Sequence, residues 1–266
     1  MKKKNDSSIS NTKIAIIFFI FLLFFLGISL IFKLILVVRE GKFDDGRVFT
    51  LSVSDKNNLE VISLSESAKS IVVFRLQNIK PEDAGKFLEI PMDGYISATS
   101  LDFNQKVDLL FLKSILNYRN VQTNLTIIDL LKLFAFARTV PDSSLNIKSI
   151  SQDLNSTEVD KIVGRLAHDE LIEKDNETVQ IINGTDIGGL GNRLARFITN
   201  MGGNVIIVAT SDKPQKRSII SYIDKKTYTV EKLHKILKYD TIKASDNAIS
   251  DITIVIGEDK ISSAPF

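Results

Sequence analysis

The architecture turns on residues 178–212, TVQIINGTDIGGLGNRLARFITNMGGNVIIVATSD. Thr178–Ile182 alternates polar and apolar residues and reads as a strand. Asn183-Gly-Thr-Asp-Ile-Gly-Gly then reads as a turn. Ile187, Leu190, Leu194, Phe197, Ile198 and Met201 fall on one face at the 3.6-residue period of a helix. Gly202 and Gly203 stop that helix as a left-handed cap would. Asn204–Thr210 is almost entirely apolar, which predicts a central strand. A strand, a helix and a strand in that order predict a parallel pair with a right-handed crossover.

Downstream, Ser218–Ile223 and Asp251–Ile256 read as strands, and Val230, Leu233 and Leu237 mark a helix between them. Residues 178–260 thus form a small β-α-β-β-α-β domain. Upstream, Val48–Val53, Leu59–Leu64 and Ser70–Leu76 are strand-like, and Ser65-Glu-Ser-Ala-Lys-Ser suits a hairpin turn. IPMDGYI (90–96) reads as a loop. Helical patterns cover about 105–118 and 124–138, the second opened by Asn124 or Thr126. A further amphipathic helix spans Thr157–Glu173, with Ser156 as its cap. PDSSLN (141–146) and KDNET (174–178) are breaks. The fold class is α/β, with one domain over 47–155, a helical connector over 156–177 and the small domain over 178–260.

Ahead of these domains, Ile14–Phe32 runs for 19 residues without a charge, and Leu34–Val38 is apolar again beyond Lys33. About 20 helical residues cross a hydrocarbon core of about 30 Å. A buried helix of a soluble domain would carry a polar stripe, and this run has none. A signal peptide has a shorter apolar stretch and a small-residue cleavage site, and no such site follows. The expectation is a cytoplasmic tail over 1–13 and an uncleaved anchor over 14–38. Lys2, Lys3, Lys4 and Lys13 precede the run, and Arg39 and Lys42 follow it. The excess on the first side places the N-terminus in the cytoplasm and the later domains outside, at the plasma membrane.

The chain has 266 residues and a formal net charge of +2. Residues 43–266 carry 27 basic against 30 acidic side chains, so the part beyond the anchor is slightly acidic. That argues against a nucleic-acid partner. There is no cysteine, which excludes disulfide scaffolds, thiolate metal sites and thiol enzymes. The two histidines, His168 and His234, are too far apart in sequence to suggest a metal site, and His168 reads as a surface residue. No metal and no cofactor are expected. The pairs Asp44–Asp45 and Glu82–Asp83 read as ordinary loop acids.

Gly184, Gly188, Gly189 and Gly191 sit between a strand and a helix, where dinucleotide-binding proteins cradle phosphate. The spacing G-x-x-x-G-G-x-G matches neither the dinucleotide fingerprint nor the P-loop, so a tight turn is the simpler reading. Arg193 and Arg196 lie on the polar face of the helix, and Lys213, Lys216 and Arg217 follow the next strand. These five cations are the candidate site for an anionic polymer. The plain alternative is a solvated charged face.

The stretch 178–212 resembles the C-terminal domain of the LytR-CpsA-Psr family of bacterial cell-envelope proteins. The matching residues are Asn183, Gly184, Thr185, Gly189, Leu190, Ala195 and Gly203–Val205. SIISYI and DITIVIGED fit the family's later strands. A fainter resemblance covers 59–150, where LEVISLSESAKSIVVFRL is similar to the hairpin before the catalytic arginine of the family's phosphotransferase domain. VQTNLTIIDLLKL is similar to a late helix of that domain. The resemblance implies transfer of a glycopolymer from polyprenyl pyrophosphate to peptidoglycan, using clustered arginines and an Arg-Asp motif. This chain departs from that pattern. Arg47, Arg75, Arg119 and Arg138 are isolated, and Arg75 is followed by Leu. A reduced, non-catalytic relative that binds or organises wall polymer is the first expectation. A diverged phosphotransferase is the second, using Arg75, Arg119 and Arg138 with Asp93, Asp102 or Asp108. A subunit that docks on other envelope proteins is the third.

Overall fold

A computed structural model describes residues 6–43, 46–99, 101–244 and 248–266. The tail lysines Lys2, Lys3 and Lys4 and the pair Asp44–Asp45 lie outside the described residues. The chain divides into two units, residues 1–42 and 43–266.

The first unit holds one helix, α1 (Asp6–Arg39). Its stretch Lys13–Lys33 is long and apolar enough to cross a membrane, and none of it is buried in protein. A helix that is apolar all round and unpacked is not the core helix of a soluble domain.

The second unit contains, in order, β1 (Val48–Ser54), β2 (Leu59–Ser65), β3 (Ser70–Gln77), α2 (Ala84–Leu88), β4 (Gly94–Ser97) and α3 (Val107–Leu116). Then come β5 (Gln122–Thr123), α4 (Ile127–Thr139), β6 (Leu145–Ser151), α5 (Ser156–Leu166) and α6 (Glu170–Asp175). Last come β7 (Thr178–Asn183), α7 (Leu190–Asn200), β8 (Asn204–Thr210), β9 (Ile219–Tyr222), α8 (Tyr228–Leu237), β10 (Asp240–Lys243) and β11 (Ile252–Ile256). Among the described residues the strands form two mixed sheets, ordered β5-β4-β1-β2-β3-β6 and β10-β9-β11-β7-β8.

The first sheet is a three-layer sandwich. Phe49, Leu51 and Val53 on β1 and Ile62 and Leu64 on β2 face α3 and α4, whose Leu110, Phe111, Leu130 and Leu133 close that core. Val61, Val72 and Phe74 face the other way, against Leu88 of α2 and Val159 and Val163 of α5. The strands β1 and β2 are therefore buried along their whole length. Each fully buried aliphatic or Phe side chain contributes about 1.5–3 kcal/mol. The α4 helix starts at a capping box: Thr126 accepts from Asp129 N, and Asp129 accepts from Thr126 N at 2.8 Å. Three strands here go beyond the sequence expectation, the shortest being β5, which pairs antiparallel with β4. β4, whose first three residues fall in the expected loop 90–96, pairs parallel with β1. Residues 145–151, which begin inside an expected break, pair parallel with β3 over their whole length.

In the second sheet one face carries Val179, Ile181, Ile220, Ile252, Ile254 and Ile256, and α7 and α8 cover it with Leu194, Phe197, Val230 and Leu233. Parallel pairing of β7 with β8 matches expectation, but β8 is an edge strand rather than a central one. Ile206 falls at a register shift between paired residues, and exposure alternates along the strand, with Ile206 and Val208 on its exposed side. β10 adds a strand parallel to β9. The helix expected over 157–173 is two helices, α5 and α6. Asn155, not Ser156, caps α5 through Glu158 N, and Asp169 caps α6 through Leu171 N.

The two sheets are joined by polar side chains. Asn200 Nδ2 donates to Asp160 Oδ1 at 3.1 Å. Lys232 is buried and donates to the Val48 carbonyl at 3.1 Å, with Asp169 Oδ2 at 4.0 Å. Tyr228 donates to the same Asp169 oxygen at 2.7 Å. Burial and that carboxylate raise the Tyr228 pKa, so the phenol keeps its proton.

Candidate functional site

The turn after β7 is built by its own side chains. Asn183 Oδ1 accepts from Thr185 N at 3.1 Å and from Thr185 Oγ1 at 2.8 Å, while Asn183 Nδ2 donates to the Ile187 carbonyl at 2.9 Å. Gly189 caps α7 with φ of +78°, a conformation that favours glycine. The Asn-Gly-Thr signature is thus a self-bonded turn that delivers the chain into α7.

The loop 211–218 is pinned to this turn at the carboxyl ends of β7, β8 and β11. Ser211 N donates to the Asn183 carbonyl at 2.8 Å, and Gln215 N to the Gly184 carbonyl at 2.7 Å. Glu258 N donates back to the Gln215 carbonyl at 2.9 Å. Asp259 Oδ1 accepts from Ser218 N at 2.9 Å and from Ser218 Oγ at 2.8 Å. Gly257 lies so close to this loop that a Cβ there would fall 2.4 Å from the Arg217 carbonyl carbon. Lys213, Lys216 and Arg217 are exposed on this fixed loop, with Asp212 beside them. Arg193 is half-buried on α7. Carboxyl ends of parallel strands are the usual ligand edge of open α/β sheets.

Arg196 is placed elsewhere. Its Nε donates to Glu89 Oε2 at 2.7 Å, its Nη2 donates to Glu89 Oε1, and Asp160 Oδ2 is 3.7 Å from Nε. Glu89 is buried at the left-handed end of α2. The hydrogen-bonded Glu89 carboxylate raises the pKa of Arg196 further above its usual range. Arg196 is therefore a clamp between the two sheets, and the exposed cations of the loop are Lys213, Lys216 and Arg217. Glu89, Asp160 and Asn200 carry no motif, and no sequence pattern links residues about 110 positions apart.

A second polar cleft of about 690 Å³ opens where β2 and β3 meet the segment before α3, and Arg75 lines it with Lys56, Lys80 and Asn104. Arg75 is already engaged: Nε donates to buried Glu60 at 2.8 Å, and Nη2 donates to the Phe103 carbonyl at 3.2 Å. Burial raises the Glu60 carboxyl pKa, and Arg75 partly offsets this. Neither Arg119 nor Arg138 lines this cleft, and Arg138 lies over the Phe134 ring at 5.6 Å. Asp93 accepts from Thr50 N at 3.0 Å, and Asp102 lies 3.8 Å from Lys113. Asp108 sits in the first turn of α3. The three arginines do not converge on this cleft. His168 pairs with Glu173 at 3.5 Å on the surface.

Residues 176–259 match the family model described as LytR cell envelope-related transcriptional attenuator. Residues 176–259 are thus similar to the LytR C-terminal domain. The match covers the turn, α7 and the pinned loop, the stretch whose residues carry the sequence resemblance. No curated protein matches the chain. Among solved structures, the chain is similar to the transcriptional regulator yvhJ from Bacillus subtilis, at 14% identity and a TM-score of 0.37, over 45% of this chain and 95% of that one. It is also similar to B. subtilis TagV, at 13% identity and 0.33, over 46% and 97%. B. subtilis TagT follows at 12% identity and 0.31, over 47% and 91%.

Proposed function

We propose that this chain is a single-pass envelope protein, with its N-terminus cytoplasmic and residues 43–266 outside. In this reading its LytR C-terminal domain holds anionic wall polymer without turning it over. The observation that carries it is the loop 211–218. Its cations are exposed, and its backbone is tied to the ends of three strands, so their placement costs little further ordering on binding. Arg193 stands on the adjoining helix as a fourth contact. A polyanion held this way makes several exposed charge contacts, each weak and screened by salt, whose sum gives retention.

A diverged phosphotransferase would need several guanidinium groups aimed at one pyrophosphate. Arg75 is committed to Glu60, and its expected companions lie outside its cleft, so this second reading has the weaker support. Docking on another envelope protein remains the third.

The test is sedimentation of purified protein with isolated cell wall across a salt series. Retention that falls with salt and is lost in a Lys213→Ala, Lys216→Ala, Arg217→Ala variant supports polymer binding. No retention at any ionic strength sinks it. Turnover of a polyprenyl-pyrophosphate glycan, abolished by Arg75→Ala, would promote the enzyme instead.

A further inference from the structure

The second sheet ends on one side at β8, and the outer edge of that strand is open. Its ladder runs to β7, in regular register from Gln180↔Ile207 to Asn183↔Thr210 beyond the shift at Ile206. Among the described residues no other hydrogen bond reaches positions 204–210. Alternate residues of a strand turn their N–H and C=O groups to opposite sides. Ser211 N, one residue past β8, donates to the Asn183 carbonyl of β7. The alternation then turns Ile207 and Ala209 toward β7 and Val208 and Thr210 outward. An outward row of backbone donors and acceptors recognises one kind of partner, another extended strand. A groove of about 260 Å³ follows the strand, between Val205–Val208 and Ala195 and Thr199 of α7, and gives the side chains of an added strand room on the helix side.

The other sheet edges among the described residues are guarded. β10 carries exposed Asp240 and Lys243, β6 carries exposed Lys148, and β5 is two residues long. Charge and shortness are devices that keep strand edges from pairing. β8 has neither. NVIIVAT is seven residues without a charge or a proline, with Ile206 45% and Val208 41% exposed. The strand also matches itself. A two-fold axis through Val208 pairs β8 antiparallel with its own copy, so that Val208 meets Val208, Ile207 meets Ala209 and Ile206 meets Thr210. In that register Val208 and Thr210, turned outward, face residues of the same parity, as an antiparallel ladder requires. No charge lies within the overlap, and Asp212 falls opposite Asn204.

We propose that β8 is a homodimer edge, at which a second copy of this chain pairs antiparallel about Val208 and joins the two copies' second sheets into one. The partner is a second copy because the edge's own sequence supplies what the edge presents: backbone groups in matching parity, aliphatic side chains opposite aliphatic side chains, and no like charges. Antiparallel pairing sets the 211–218 loops of the two copies at opposite ends of the joint. The assignment does not depend on the polymer reading of that loop.

The chain has no cysteine, so single cysteines can be placed in the full-length protein in detergent micelles and oxidised. Val208→Cys is expected to cross-link two copies, since directly opposed Cβ atoms lie about 5 Å apart. Ile242→Cys, similarly exposed on the guarded edge β10, should not. The light-scattering mass should be that of two copies for the natural protein and of one copy for Val208→Lys, in which two ammonium groups oppose each other across the axis. Val208→Glu alone should also be a single copy, and an equal mixture of the lysine and glutamate variants should return to two. Cross-linking at 208 no greater than at 242 overturns the proposal, as does a single-copy mass for the natural protein. A two-copy mass that persists in both charged variants assigns association to the apolar N-terminal helix or another surface and also overturns it. Single-copy charged variants that do not recover on mixing place the contact away from Val208, with the same consequence. Should either charged variant lose its melting transition, the comparison of the two cysteine positions decides.

Discussion

Arg196 lies on the polar face of an amphipathic helix, and sequence alone groups it with Arg193 as a ligand cation. Its guanidinium instead closes on Glu89 with two hydrogen bonds. Removing it leaves a buried carboxylate without its main partner. Arg196→Ala should cost roughly 1–3 kcal/mol in urea unfolding, scaled down because the arginine itself is partly exposed. Wall retention of that variant should be unchanged. Arg196→Lys should recover part of the loss, since it keeps the charge but not the fork. Asp251 gives a pH-dependent counterpart. Two hydrogen bonds from Thr178, its hydroxyl and its backbone N–H, lower the carboxyl pKa below its ordinary value of 3.8. A lowered folded-state pKa means stabilisation that is complete above the unfolded value and is lost as pH falls through the folded one. Thermal unfolding of Asp251→Asn should therefore differ from the natural protein at neutral pH and converge with it in strong acid. Gly257→Ala places a methyl against the Arg217 backbone, which cannot move aside as a side chain can. It should destabilise by about 2 kcal/mol or more and weaken wall retention through the displaced loop.

At the scale of single elements, the sequence left the start of α4 between Asn124 and Thr126, and the structure places the cap at Thr126, in a capping box with Asp129. Thr126→Ala should cost about 1 kcal/mol, read from denaturant midpoints. The expected helix over 157–173 broke for a reason outside itself. Asp169 N donates to the Met201 carbonyl at 2.9 Å, and its carboxylate serves α6, Tyr228 and Lys232. β8 teaches the opposite lesson. Seven uncharged residues read as a strand buried on both faces, yet the strand is an edge with exposed Ile206 and Val208. Edges without a charge or proline invite pairing with other chains. Ile206→Lys should leave the melting temperature nearly unchanged and slow aggregation of concentrated protein, as followed by light scattering.

For the whole second unit, the polar joint decides whether two sheets behave as one. Arg196–Glu89, Asn200–Asp160 and Lys232–Val48 tie the second sheet and its helices to the first. Calorimetry should show one cooperative transition for the natural protein. An Arg196→Ala, Asn200→Ala variant should broaden or split it, because each sheet keeps its own hydrophobic core. Periodicity, caps and glycines sufficed to reveal the apolar N-terminal helix, the α/β class and most helices and strands, since those features depend on neighbours within about two turns. Strand order, the edge position of β8, the β6 and β10 pairings and the fate of Arg196 depend on residues tens to more than a hundred positions apart. Packing chose among locally equivalent options there: a short run such as Leu145–Ser151 becomes a strand only when β3 offers its open edge, and an exposed-looking arginine becomes a clamp only when the fold carries Glu89 to it.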